Sequence, residues 1–165
     1  MNLKRILRGK FKFILSSLTL IASVLAMLIF SHGIIIDPIY SNFIYIEILS
    51  NNTFHEICLF VADTEVERDE GLMFQTSISP NFGMLFIFPS ERRLDFWMYN
   101  TFIPLDMIFL NSEKKIIHIE YSATPFRTHP FYSSIYPAKY VIELKAGDAR
   151  RLELNQGESF PVNAF

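Results

Sequence analysis

Residues 94–110, Leu-Asp-Phe-Trp-Met-Tyr-Asn-Thr-Phe-Ile-Pro-Leu-Asp-Met-Ile-Phe-Leu, decide the fold and hold the only tryptophan of the chain, Trp97. Residues 94–99 are rich in aromatics, and residues 105–110 alternate Leu, Met and Phe with their neighbours. That period of two is the signature of strands. The stretch therefore predicts two apolar strands joined at Asn100-Thr101-Phe102-Ile103-Pro104, a joint whose Asn and Pro suit a turn. Four polar side chains sit in this oily run: Asp95, Asn100, Thr101 and Asp106. Burying even a neutral polar group without a partner costs on the order of 2–7 kcal/mol. Asp106 thus either staples the turn or marks a site.

Working outward, the same alternation predicts strands at 43–49 and 55–62, joined as an antiparallel hairpin by Ser50-Asn51-Asn52-Thr53. Thr64 followed by Glu67 is a capping-box pair, so a short helix is expected over 65–72, with Gly71 in its last turn. A loop over 75–81 leads to an apolar strand at 82–88, closed by Pro89. Beyond the central run, strands are expected at 115–121, 140–144 and 158–162, a helical turn at 148–151, and a long loop over 122–138. Many short strands with one or two short helices predict a mainly β fold, an antiparallel β-sandwich or a partly open barrel.

The 165 residues suit one domain plus an appendage, and the charge is unevenly divided. Lys4, Arg5, Arg8, Lys10 and Lys12 precede the first acid, Asp37. The remainder holds ten basic and seventeen acidic residues, a formal −7. Such a domain is ill suited to nucleic acid, whose non-specific binding needs Lys and Arg against phosphates. After the basic residues come Phe13–Phe30, eighteen residues without a charge. This pattern is an N-terminal signal helix or a retained transmembrane anchor. The expected organisation is a signal peptide or anchor over 1–33, a linker over 34–41 and a single β domain over 42–165. The positive-inside rule leaves the N-terminus in the cytoplasm, with the domain exported to the periplasm or tethered on the outer side of the inner membrane through residues 13–30. The single cysteine, Cys58, lies in an apolar strand and reads as a buried, unreactive residue, so the core must supply stability without a disulfide framework.

Four ordered blocks then carry a resemblance. They are Val61-Ala62-Asp63-Thr64 through Glu67-Arg68 to Gly71-Leu72-Met73; Gly83-Met84-Leu85-Phe86; Phe96-Trp97-Met98 with Asn100-Thr101 and Pro104-Leu105-Asp106; and Glu143-Leu144 with Ala146-Gly147 and Gly157. Over residues 43–163 the chain resembles the bacterial and archaeal family called domain of unknown function 192, with Glu158 where the family tends to have Asp. The resemblance implies an exported or membrane-tethered small domain, mainly β, and implies no reaction.

Each candidate residue has a functional and a structural reading. Asp106 is either a general acid or base whose pKa burial perturbs, or an acceptor for Thr101, turn amides or Arg68. Arg68 is either a structural partner of Asp106 or Glu143, or a planar clamp for an anion. Trp97, with Phe96, Tyr99 and Phe102, is either a stacking platform for a sugar ring or core filling. Arg127, Tyr132 and Tyr136 would form its lid. Met73, Met84, Met98 and Met107 with His118 or His129 have the softness for Cu(I), but lack clustered spacing and suit a core, so neither metal nor cofactor is assigned. No Ser/His/Asp motif or phosphate-binding Gly loop is present. The leading expectation is a non-catalytic, envelope-facing module that binds a small molecule or an envelope protein through Arg68, Trp97, Asn100, Thr101, Asp106 and Glu143. The alternative is an envelope enzyme with Asp106 as acid/base on a glycan or peptide.

Overall fold

The computed structural model describes residues 43–160. The expected signal or anchor, the linker and the far end of the last expected strand lie outside them. Among the described residues, no helix is long and apolar enough to cross a membrane.

Strands β1 (Phe43–Ser50) and β2 (Thr53–Ala62) form the expected antiparallel hairpin. Asn51 and Asn52 take left-handed φ of 50° and 58° at its two-residue turn, the backbone that matches the twist of paired strands. Helix α1 (Glu65–Glu70) begins with the complete capping box between Thr64 and Glu67. Gly71, at φ 53°, ends the helix and donates its N–H to the Glu67 carbonyl. Strand β3 (Phe82–Arg92) then pairs with β2 in parallel. A parallel pair needs a crossover, and α1 with its loop is that crossover.

The remaining strands are β4 (Asp95–Phe96), β5 (Leu105–Leu110), β6 (Ile116–Ala123), β7 (Tyr132–Ser133) and β8 (Ala138–Lys145), followed by helix α2 (Asp148–Arg151). One open six-stranded sheet has the order β1-β2-β3-β8-β5-β6, and β4 and β7 form a separate ribbon. The mainly β fold with two short helices stands. The antiparallel sandwich or barrel does not, because the β2–β3 pair is parallel and the large sheet stays open.

Other expectations are corrected too. The two strands at 94–99 and 105–110 are not a pair: β4 pairs with β7, while β5 lies between β6 and β8. Residues 97–104 fall outside the strands because β7 pairs only with Asp95 and Phe96, and the Met98 N–H bonds instead to the Arg127 carbonyl. Pro89 does not close β3. It sits where the register with β8 shifts, between Ile87 and Arg92, so no ladder hydrogen bond is lost. Among the described residues 158–160 there is no strand, and Ser159 makes an isolated bridge with Lys115.

Both faces of the large sheet are apolar. Ile46, Leu59, Leu85, Ile108, Ile142 and Leu144 point to one face, covered by Ala149, Leu152, Leu154 and Phe160. Met84, Phe86, Met107, Phe109 and Val141 point to the other, covered by Leu72, Leu94, Met98 and Tyr132. Cys58 is buried, and burial pushes its thiol pKa up, so it stays protonated and unreactive. Met84, Met98 and Met107 are core residues. At Gly83 a Cβ would lie 2.2 Å from the Glu143 carbonyl oxygen, so β3 and β8 approach as closely as they do only because this residue is glycine.

Candidate functional site

Alternation along β8 decides what its residues can do. Ile142 and Leu144 face the α2 side, so Glu143 faces the other side with Val141. Its neighbours in register are Met84 on β3 and Met107 on β5, both buried. Glu143 is only 4% exposed, and burial alone lifts its pKa to about 8. At neutral pH it is a protonated acid. Its side chain makes no hydrogen bond or ion pair with any described residue. No sealed side-chain polar atom among those residues lacks a partner. The carboxyl group therefore opens onto the cleft whose lining it joins.

That cleft has a volume of about 550 Å³. Its lining comes from α1 with the turn after it, from residues 86–92 of β3, and from the 95–101 segment with Phe131. Trp97 and Tyr99 are 46% and 48% exposed, with ring centroids 5.6 Å apart and planes tilted by 43°. Asp95 accepts a hydrogen bond from the Ser133 hydroxyl at 2.5 Å. Thr101 is buried, and its hydroxyl donates to the Tyr99 carbonyl at 3.2 Å. The 97–102 segment is held by backbone bonds on both sides. Phe74 N–H donates to the Asn100 carbonyl and Met98 N–H to the Arg127 carbonyl, each at 2.8 Å. Phe74 and Phe126 both adopt a φ of 63°, rare for bulky residues. Their rings flank Phe102 at 6.5 and 5.2 Å, forming an aromatic rim beside the cleft.

Arg68 lines the cleft but holds neither Asp106 nor Glu143. Its guanidinium donates to the carbonyls of Asp63 and Ile87, the latter at 2.8 Å, and lies 5.2 Å from the Phe88 ring centroid. Arg92 approaches the same ring at 5.3 Å.

Asp106 is on the opposite face of the sheet. One carboxylate oxygen accepts the Ser122 amide at 2.9 Å, and the other accepts Gly147 and Ala149 at 2.8 and 3.0 Å. Its partners are amides; neither Thr101 nor Arg68 is among them. Of the expected residues, the structure thus brings Arg68, Trp97, Thr101 and Glu143 into one cleft. Asn100 is confined to the turn, at φ 49°, and Asp106 is separate. The expected lid does not form as a unit. Tyr132 is buried, its hydroxyl accepts the Thr124 amide at 2.7 Å, and Arg127 stacks on its ring at 4.4 Å. From that loop it is Phe131 that reaches the cleft.

Phe131, Glu65 and Asp69 escaped sequence reasoning because nothing local ties them to the site. For Glu143 a signal existed: a lone acid inside Tyr-Val-Ile-Glu-Leu, a strand apolar on both faces. Among the described residues no group of three or more His, Cys, Asp or Glu is placed to hold a metal.

Comparison with known proteins adds the following. The family model DUF192, described as Uncharacterized ACR, matches residues 46–162. A UPF0127 protein of Pyrococcus furiosus is 31% identical over 104 residues, 62% of this chain and 84% of its own length. A UPF0127 protein of Thermococcus sibiricus is 36% identical over 89 residues, 53% of this chain and 54% of its own length. Two solved structures superpose with TM-scores of 0.65. One, from Sinorhizobium meliloti and given a suggested role as a transcription regulator, is 32% identical and covers 70% of this chain and 90% of its own. The other, a protein of unknown function from Novosphingobium aromaticivorans, is 29% identical and covers 71% of this chain and 83% of its own.

Proposed function

The chain belongs to the uncharacterised DUF192 family, and from that premise we propose that its β domain is a ligand-binding module on the outer side of a membrane. One observation carries the binding part: Glu143, buried and without a hydrogen-bond partner, opens onto a cleft walled by exposed aromatic rings. A buried polar group left unpaired costs stability, and a ligand that pairs with it recovers that cost on binding. Convergent aromatic faces around one polar anchor are the usual build of a small-molecule site. Outward placement draws its support from the basic residues 4–12 and the uncharged run 13–30.

Trp97 is both the single tryptophan and part of the cleft wall, so its emission reports occupancy. A metabolite library screened against the full chain is expected to contain compounds that shift Trp97 emission, with the shift lost in Glu143→Leu. A library that moves neither protein refutes the reading.

A second reading makes the same cleft catalytic, because an acid with a pKa of about 8 can give and take a proton near neutrality. Glu143, rather than Asp106, is the group for that role, since both Asp106 oxygens already accept amides. Turnover of the bound compound that is lost in Glu143→Gln while the compound still binds would favour the enzyme.

A further inference from the structure

We propose that the cleft takes a small organic cation, a primary ammonium or a guanidinium, seated between the Glu143 carboxyl and the rings of Trp97, Tyr99 and Phe131. The proposal rests on the reading that the cleft binds a ligand, and it names the class.

Charge is the first argument. The lining holds five carboxyl groups, Glu65, Asp69, Glu70, Asp95 and Glu143, against two guanidiniums, Arg68 and Arg92. The two guanidiniums are already committed to backbone carbonyls and to the Phe88 ring. With Glu143 protonated, four acids still outnumber the two guanidiniums, and an anionic ligand would meet repulsion.

The second argument is Glu143 itself. A carboxyl that is 96% buried by its 4% exposure, and unpartnered, is a vacant half of an ion pair. Burying one charge alone is unfavourable, but a close opposite charge favours the ionised form. An ammonium placed here would complete the pair.

Ring chemistry is the third. Cations within about 6 Å of a ring centroid are attracted to its face. The Phe88 ring of the lining already draws two cations, at 5.2 and 5.3 Å. Trp97 and Tyr99, also in the lining, offer further faces. A metal ion would need several ligating groups at one point, and the described residues offer no such cluster. A neutral sugar would use the rings and leave the charge surplus unanswered.

Binding a cation to ionised Glu143 releases a proton. The apparent affinity should therefore fall about tenfold for each pH unit below about 8. The charged groups that share the cleft lining with Glu143 are Glu65, Arg68, Asp69 and Glu70 from α1, Arg92 from β3 and Asp95 from β4, while β5 places Met107 beside it in register. Glu143→Gln separates the contribution of Glu143 from theirs.

The test is calorimetric titration of the full chain with cadaverine, agmatine, maltose and succinate between pH 6 and pH 8.5. Expected results are binding of cadaverine or agmatine, tightening with pH, proton release that depends on the ionisation enthalpy of the buffer, and no binding of succinate. Glu143→Gln should weaken the cation by about tenfold or more and abolish the pH slope. Trp97→Ala, at an exposed position, should weaken it with the slope intact. A lysine-containing tripeptide that binds as well as cadaverine would assign the cation to a protein side chain, and a much weaker one to a free amine; both keep the shared chemistry. Maltose or succinate binding where neither cation binds overturns the inference and leaves a ligand-binding cleft. Silence from all four probes overturns the inference, while the Trp97 library screen still decides the broader reading.

Discussion

Two buried acids one strand apart, Asp106 and Glu143, behave in opposite ways because of what surrounds them. Asp106 accepts three amides from the 122 and 147–149 segments and staples them. Asp106→Asn turns one acceptor into a donor facing donors, so urea unfolding should show a loss of about 3 kcal/mol. Asp106 and Arg68 share no partner, so the loss in Asp106→Asn with Arg68→Ala should equal the sum of the single losses within about 0.5 kcal/mol. Glu143 has a folded pKa of about 8, above the ordinary carboxyl value of 4.5. The unfolded chain gives up this proton near 4.5 while the folded chain keeps it, so the stability present below that pH is lost as pH rises to about 8. At pH 7 the cost is about 3 kcal/mol. Melting temperature should therefore fall between pH 5 and 8 in the native protein and fall much less in Glu143→Gln. In sequence both acids read as polar intrusions in apolar strands. Parity along β5 and β8, which puts them on opposite faces, separates them, and no local pattern says which face has the cleft.

Elements set by contacts a few residues apart were legible. The Asn51-Asn52 turn, the capping box of α1 and the short apolar run of β5, buried on both faces, each state their own geometry. Thr64→Ala removes the cap and should lower stability by about 1 kcal/mol in thermal unfolding. Elements set by distant partners were not legible. Residues 94–99 have strand-like composition, yet pairing is available only to Asp95 and Phe96, through a ribbon strand some forty residues later in the chain. The same holds for the parallel join of β2 to β3, where α1 and its loop are visible in sequence and the direction of return is not. Gly83→Ala tests that packing. Its Cβ would meet the Glu143 backbone oxygen at 2.2 Å and the Leu144 side chain at 2.7 Å. The β3–β8 pair would have to part, and the variant should be recovered mainly as unfolded or aggregated protein, read by circular dichroism.

For the whole molecule, composition and strand count were enough for a mainly β domain, and the ordered motif blocks were enough for the family. Strand order was not, since apolar strands of similar length can be arranged in many ways. The observed order puts β8, last of the eight described strands, at the centre between β3 and β5. Before β8 is made, no strand pairing links β1-β2-β3 to β5-β6, so each group would be left with a bare edge. They can join only when residues 138–145 arrive, bringing the floor of the cleft with them. A polypeptide stopped at residue 137 should accordingly lack the fold rather than form a smaller version of it. Birth order thus acts as a safeguard: no half-made copy carries a complete cleft, because Glu143 arrives with the strand that closes the sheet.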